Sequence, residues 1–131
     1  MRKGDLDELV KYRFERAKNT FEEANLMAKE NHWNACVNRL YYACFYSVSA
    51  LLAKNGMSSS KHTGIKSLFN QHWIKTGKIM KSYGRLYNNL FENRQEGDYI
   101  DFVVFKKQSV EHLIPEVKDF INALEKLIAS E

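Results

Sequence analysis

The sequence predicts an all-α fold, an up-and-down bundle of about five helices, on three observations. Apolar residues recur at steps of three and four along nearly the whole chain, as in helices that each bury one face. A single proline and six glycines leave long stretches uninterrupted. The one strand-like run, Tyr99–Phe105 (YIDFVVF), has no second run of its kind to pair with. With 131 residues, 44% hydrophobic and 27% charged, the chain has the length and composition of one folded domain over 1–131 and not of a disordered segment. No apolar run approaches the ~18 residues of a membrane span. The N-terminus, MRKGDLDELVKYRF, lacks the apolar stretch and small-residue cleavage site of a signal peptide. The expectation is a soluble cytoplasmic domain with no membrane association.

Each element has its own signal. In the first segment Val10, Phe14, Ala17, Phe21, Ala24 and Ala28 form one stripe. Asp5, Asp7 and Glu8 stand near its start, where carboxylates meet the positive end of the helix dipole, and Asn31–His32 should break it. The second helix runs from about Trp33 to Lys54. Its row Val37, Leu40, Cys44, Val48 and Leu51 is widened by Tyr41, Phe45 and Leu52. A helix apolar around so much of its girth is the central one of a bundle, and Asn55-Gly56 is a good stop. A serine-rich loop, Met57 to Lys61, follows, with Ser60 placed to cap a short third helix carrying Ile65, Leu68, Phe69 and Trp73 and ended by Gly77. The fourth begins near Lys78 and carries Ile79, Tyr83, Leu86 or Tyr87, Leu90 and then Arg94 in register, with Gly97 closing it. Tyr99 to Phe105 reads as a turn leading into the last helix, whose stripe is Val110, Leu113 or Ile114, Val117, Ile121, Leu124 and Ile128. Pro115 should kink that helix or mark its true start.

Most standard chemistries find no support in the residues. Cys36 and Cys44 are eight apart on one helix, about 12 Å along its axis, too far for a disulfide; they read as two core thiols. The histidines, His32, His62, His72 and His112, form no metal-ligand spacing, although His32 and Cys36 share a helix face. No phosphate-cradling glycine loop and no nucleophile elbow is present. No metal and no cofactor is expected.

Charge is more informative. From Asn31 through Phe91 there is no aspartate or glutamate, while Arg39, Lys54, Lys61, Lys66, Lys75, Lys78, Lys81 and Arg85 give that stretch a net of +8. Such segregation points to a polyanionic partner, or to a surface shaped to meet an acidic one. Lys75, Lys78, Lys81 and Arg85 are spaced three, three and four, which aligns them wherever the chain is helical, with Gly77 interrupting the first step. They are candidate phosphate contacts, set against a solvated helix face. Arg94 falls where the fourth helix predicts a core residue, and a guanidinium on a buried face needs a partner. Either it pairs with Asp98 and ties down the following loop, or it faces a polar seam and meets a phosphate. The two roles are compatible.

At these residues the chain resembles HEPN domains. Asn38-Arg39-Leu40-Tyr41-Tyr42-Ala43-Cys44-Phe45 resembles their YYAxF segment, Lys61-His62-Thr63-Gly64 with Leu68-Phe69 their kHxg…lF segment, and Arg94-Gln95-Glu96-Gly97-Asp98-Tyr99 their R-x-x-x-D-Y segment. The three occur in order and span nearly the whole chain. The resemblance implies a small stand-alone five-helix domain, a homodimer, of the type encoded beside a minimal nucleotidyltransferase. Ribonuclease members carry R-x(4–6)-H at the end of the fourth helix, where the arginine steadies the scissile phosphate and the histidine moves protons without a metal. Here positions five to seven after Arg94 are Tyr99, Ile100 and Asp101, with no histidine. A tyrosine that titrates near 10 is a poor base at neutral pH.

The expected function is therefore a HEPN-like module that binds RNA or a nucleotide through its basic face and Arg94, without ribonuclease activity. Asp98, Tyr99, His62, Lys75, Lys78, Lys81 and Arg85 complete the candidate phosphate or nucleotide contacts. His62, at a helix start, either bonds backbone or tyrosine or joins Arg94 in a pocket. Tyr41 and Tyr42 read as core and dimer-seam residues, with base stacking as the other role. The alternative is a partner of a minimal nucleotidyltransferase in a toxin–antitoxin pair. A third reading keeps a metal-independent ribonuclease, with Arg94, Tyr99 and His62 as its catalytic candidates.

Overall fold

The computed structural model describes residues 2–99 and 104–130, and for 95–99 the backbone alone. Helices α1 (Lys3–Lys29), α2 (Trp33–Lys54), α3 (His62–Phe69), α4 (Lys81–Tyr99) and α6 (Leu113–Ser130) form the bundle, with a single turn, α5 (Lys107–Val110), before the last. Among the described residues there is no strand, and the all-α expectation holds.

The two first breaks share one mechanism. After α1, Asn31 takes a left-handed φ of 61°. Its N–H bonds the Ala28 carbonyl at 3.0 Å and that of His32 bonds Met27 at 2.8 Å. After α2, Gly56 has φ 73°, and Gly56 and Met57 donate in the same pattern to Ala53 and Leu52. Both are Schellman motifs, which satisfy the last carbonyls of the helix as the chain turns away. Asn and Gly are the residues that tolerate that conformation.

Helix α2 is the centre, packed against α1, α3, α4 and α6. Leu40, Tyr41, Cys44, Val48, Leu51 and Leu52 are fully buried, joined by Phe14 and Phe21 from α1, Phe69 from α3, Leu90 from α4 and Phe120 from α6. Cys36 and Cys44 are buried free thiols, and burial pushes Cys36 up to about 11.

Several boundaries differ from the sequence expectation. Lys61, not Ser60, is the residue preceding α3, and it provides no side-chain cap; the hydroxyl that turns inward is that of Ser59, which accepts the Lys61 N–H at 3.2 Å. Past Phe69 the helix widens into one π turn, Asn70–Ile74, fastened to α4 by reciprocal Asn70–Asn88 amide bonds of 3.0 and 3.3 Å. Gly77, at φ 80°, ends this segment as expected, but α4 starts at Lys81 and its backbone runs through Gly97 to Tyr99. Pro115 lies in the first turn of α6, where its missing N–H has no helical partner to lose. It marks a start and not a kink. Residues 100–103 of the strand-like run lie outside the described residues.

Candidate functional site

The tyrosine pair of α2 brings the sequence candidates together. Tyr41 is fully buried, and its hydroxyl is hydrogen-bonded to His62 Nδ1 at 2.8 Å. Tyr42, one residue on, is half-buried, and its hydroxyl accepts a 3.1 Å hydrogen bond from Arg94 Nη2. The Arg94 guanidinium lies 5.5 Å from both ring centroids. His62 stacks at 4.3 Å and 9° on Phe45 and meets the Tyr42 ring edge-on at 5.7 Å. Three elements thus converge. The wide apolar girth of α2 supplies the aromatic platform, the first residue of α3 supplies the imidazole, and the fourth turn of α4 supplies the guanidinium.

The off-register arginine finds its place by this route. It is half-buried, and two aromatic faces and a phenol oxygen receive its charge. Burial, and then the Arg94 charge, hold His62 below the usual imidazole range, so its ring is neutral at pH 7. Burial pushes Tyr41 up to about 12, so the phenol beside His62 keeps its proton.

Two further cations border the platform. Arg39 lies 5.2 Å from the Tyr42 ring. Asn38 Oδ1 accepts from its Nε and Nη2 at 3.1 and 2.8 Å, and Glu23 pairs with it at 3.3 Å. Lys66 stands 4.8 Å from the Phe91 ring, which itself abuts Tyr41. A cleft of about 620 Å³ opens between α1, the start of α2 and α4, with Arg39, Arg94, Asn38 and Asn93 on its polar side and Met27 and Val37 on its apolar side. Glu23, paired with Arg39, also lines the cleft; two guanidiniums gathered on one ring suit a phosphate. Among the described residues no three His, Cys, Asp or Glu side chains stand together as a metal site would need.

The other candidates separate. Lys75, Lys78, Lys81 and Arg85 are all exposed, but they do not form one helical row. Lys75 follows the π turn, Lys78 lies in the loop beyond Gly77, and only Lys81 and Arg85 belong to α4. Nine residues separate Arg85 from Arg94, two and a half helical turns, so the two project from opposite sides of α4 about 13 Å apart along it. The lysine-rich stripe is a different surface from the Arg94 cluster. The side chains of Asp98 and Tyr99, and with them the expected Arg94–Asp98 pair, lie outside the described residues.

Conversely, Arg39, Phe45 and Lys66 stand beside His62 and Arg94 although the sequence named none of them as a site candidate, and Tyr42, named with base stacking as its second role, stands with them. Their signal was present in part, since Arg39, Tyr42 and Phe45 step by three along α2 and Lys66 follows His62 by four on α3. No helix among the described residues is long and apolar enough to cross a membrane.

Comparison with known proteins agrees with the resemblance seen in the three segments. The chain is 42% identical to a UPF0332 protein of Thermotoga maritima over 95% of both chains. It is 34% identical to a UPF0332 protein of Gloeobacter violaceus over 65% of this chain and 68% of that one. It is 28% identical to a Methanocaldococcus jannaschii protein named as a candidate toxin, over 98% of this chain and 85% of that one. The HEPN domain family model matches residues 10–127, which include all six helical elements in whole or in part, and the chain belongs to the HEPN domain family.

Proposed function

We propose that this chain binds single-stranded RNA or a nucleotide at the Arg94–Tyr42–His62 cluster. One observation carries the proposal: a half-buried guanidinium is presented by a tyrosine hydroxyl across two ring faces, beside a neutral imidazole. Arg94 supplies charge to a phosphate, and its tyrosine bond limits the rotamer freedom it would lose on binding. Tyr42 is half-buried, and its ring gathers the Arg39 and Arg94 guanidiniums at 5.2 and 5.5 Å, which places two cations side by side for a phosphate. The acid-free run from Asn31 to Phe91 contributes Arg39 and Lys66 beside the cluster, with Glu23 of α1 paired to Arg39 at its edge.

Fluorescence anisotropy of a labelled single-stranded RNA, at 50 and 200 mM salt, tests the proposal. With about three phosphates contacted, affinity should fall about 20-fold over that range. Arg94→Ala should weaken binding at both salts. Affinity equal to wild type in Arg94→Ala would overturn the assignment.

His62 favours a second reading, that the same site cleaves RNA without a metal. A neutral imidazole beside a phosphate-binding arginine can accept a proton, and a relative bears a toxin's name. A gel of the same samples distinguishes the two: products lost in both His62→Gln and Arg94→Ala would make the site catalytic. The two assemblies that the family suggests, a homodimer and a complex with a minimal nucleotidyltransferase, belong to the proposal as well. Light scattering on the purified chain tests the first, and co-purification with such a neighbour tests the second.

A further inference from the structure

Phe45 has two sides. One stacks on His62. The other lines a separate cavity of about 240 Å³ between α1, α2 and the serine loop. The polar wall of that cavity is Arg13, Arg16, Tyr46, Ser58 and Ser59. No carboxylate lines it; Glu15, between the two arginines in sequence, lines a different cleft together with Lys18.

Both guanidiniums are held in place by neutral acceptors. Arg13 Nη1 donates to the Ser49 carbonyl at 3.3 Å. Arg16 Nη2 donates to the Tyr46 hydroxyl at 2.9 Å, with its guanidinium 4.5 Å from the Tyr46 ring centroid. Tyr12, which also lines the cavity, is a second phenol partner of Arg16; a guanidinium has five donors, so some of those on each remain for a ligand. Two like charges three residues apart on one helix repel, and neither is offset by a carboxylate among the described residues.

The hydroxyl side of the cavity is built against the helix. A Cβ on Gly64 would fall 2.0 Å from Ser59 Oγ and 2.8 Å from Ser59 Cβ. The loop can therefore sit on α3 only because residue 64 has no side chain. Ser59 turns its oxygen to the Lys61 N–H, and Ser58 stays exposed at the rim.

A run of cation and ring contacts links this cavity to the Arg94 cluster. Arg94 lies 5.5 Å from Tyr42, the Tyr42 and Tyr46 rings are 6.0 Å apart, and Arg16 lies 4.5 Å from Tyr46. Cation, ring, ring and cation follow one another across one face of α2. Cations at both ends of a ring pair suit a strand whose phosphates meet them in turn.

We propose that the Arg13–Arg16–serine-loop cavity is a second phosphate subsite, which holds a further phosphodiester of the same single-stranded RNA, another phosphate of which lies at Arg94. This rests on the proposed function, and its ligand class is an oligonucleotide longer than one residue. The cavity and the Arg94 cluster together set the minimum length of the strand.

The test compares uridine monophosphate with a labelled tetrauridine on the full chain. The Arg13→Gln/Arg16→Gln double variant should lose about tenfold in affinity for tetrauridine and keep its affinity for the monophosphate. Its salt slope should fall by about 0.7, the share of one phosphate on a single strand. Arg16→Gln alone, at an exposed position, should show a smaller loss in the same direction, and Arg16→Lys should restore most of it. Tetrauridine affinity and slope unchanged in the double variant, with Arg94→Ala impaired, would overturn the subsite and leave the Arg94 site standing. Equal losses for both ligands would also overturn it, since the arginines would then act through the fold or the general field. No binding of either ligand by the wild type would overturn both proposals.

Discussion

Tyr42→Phe is the most economical probe of how Arg94 is presented. The substitution keeps the ring, and so keeps its contacts with Tyr41 at 5.1 Å, Phe45 at 6.0 Å and His62 at 5.7 Å, as well as the Arg94 guanidinium 5.5 Å away. It removes the hydroxyl that accepts from Arg94 Nη2 at 3.1 Å. A hydrogen bond to a charged group contributes about 1.5–3 kcal/mol when water is excluded. Tyr42 and Arg94 are both half-buried, so water replaces part of it, and the stability lost should be under ~1 kcal/mol. Binding should respond more. An arginine has up to ~2 kcal/mol of rotamer entropy to lose, and freeing about half of that before binding raises Kd about fivefold. Tyr42→Ala discards the ring as well. Full burial would make that cost about 3–5 kcal/mol, and half-burial brings it to ~2 kcal/mol. Urea denaturation and RNA anisotropy on the same preparations separate the two quantities. A Tyr42→Phe/Arg94→Lys double-mutant cycle should show coupling of about 0.5–1 kcal/mol in binding. Stability loss in Tyr42→Phe equal to that in Tyr42→Ala, or zero coupling in the cycle, would refute the role given to the hydroxyl.

Three further outcomes follow from the same geometry. Because His62 is held below its unfolded value of about 6.5, the unfolded chain binds the proton more readily; stability is therefore greatest above that pH and falls as pH drops through the folded value. Urea midpoints between pH 8 and 5 should decline less in His62→Gln, and NMR titration of Arg94→Ala should show the His62 value rising. At Gly84 an alanine gains ~1 kcal/mol of helix propensity, but its Cβ would lie 2.8 Å from Ile74 Cγ2. Gly84→Ala should thus melt within a few degrees of wild type, while Gly84→Val, which adds two methyls to the same contact, should cost ~2 kcal/mol or more in thermal denaturation. Lys81 is 13 residues and about 20 Å along α4 from Arg94, beyond two Debye lengths at 0.15 M salt. Lys78→Glu/Lys81→Glu should change RNA affinity less than about threefold at that salt; a tenfold loss would mean that the stripe itself holds the phosphates.

How legible these features were depended on what decided each one. The α1 stripe is buried from Val10 through Phe14, Ala17 and Phe21 to Ala24, with Ala28 half-buried at the helix end, because periodicity and burial there are one constraint. The breaks at Asn31 and Gly56 were legible for a related reason: few residues accept a left-handed φ, so the sequence has little choice at a Schellman turn. Gly77 and Gly97 carry the same signal and behave oppositely. Gly77 adopts φ 80° and ends its segment, whereas the α4 backbone continues past Gly97. A glycine permits a stop but costs only ~1 kcal/mol inside a helix, so tertiary context decides. The π turn at Asn70–Ile74 answers to Gly84 and Asn88 on another helix, and no local pattern specifies it.

The grouping of the candidate side chains was only partly legible. Arg94 betrayed itself by breaking an apolar register, and that is information a single helix contains. Which side chains surround it depends on how α2, α3 and α4 cross, and the lysine spacing misled for that reason. Spacing of three and four aligns side chains only if one unbroken helix carries them, and the turn at Gly77 divides the stripe. The charge asymmetry behind that reading survives in a different form. The cations drawn to the aromatic platform are Arg39 and Lys66 from the acid-free run, with Arg94 just beyond it and Arg16 before it. Each is set against a ring and not merely against solvent. A guanidinium desolvated on one side and open to water on the other binds an anion at less cost than a fully hydrated lysine does. On the RNA-binding proposal, affinity is governed chiefly by the half-buried Arg39, Lys66 and Arg94, and the exposed cations of the Lys75–Arg85 stretch, among which Lys78 lies 6.0 Å from the Trp73 ring, contribute mainly to the rate of encounter.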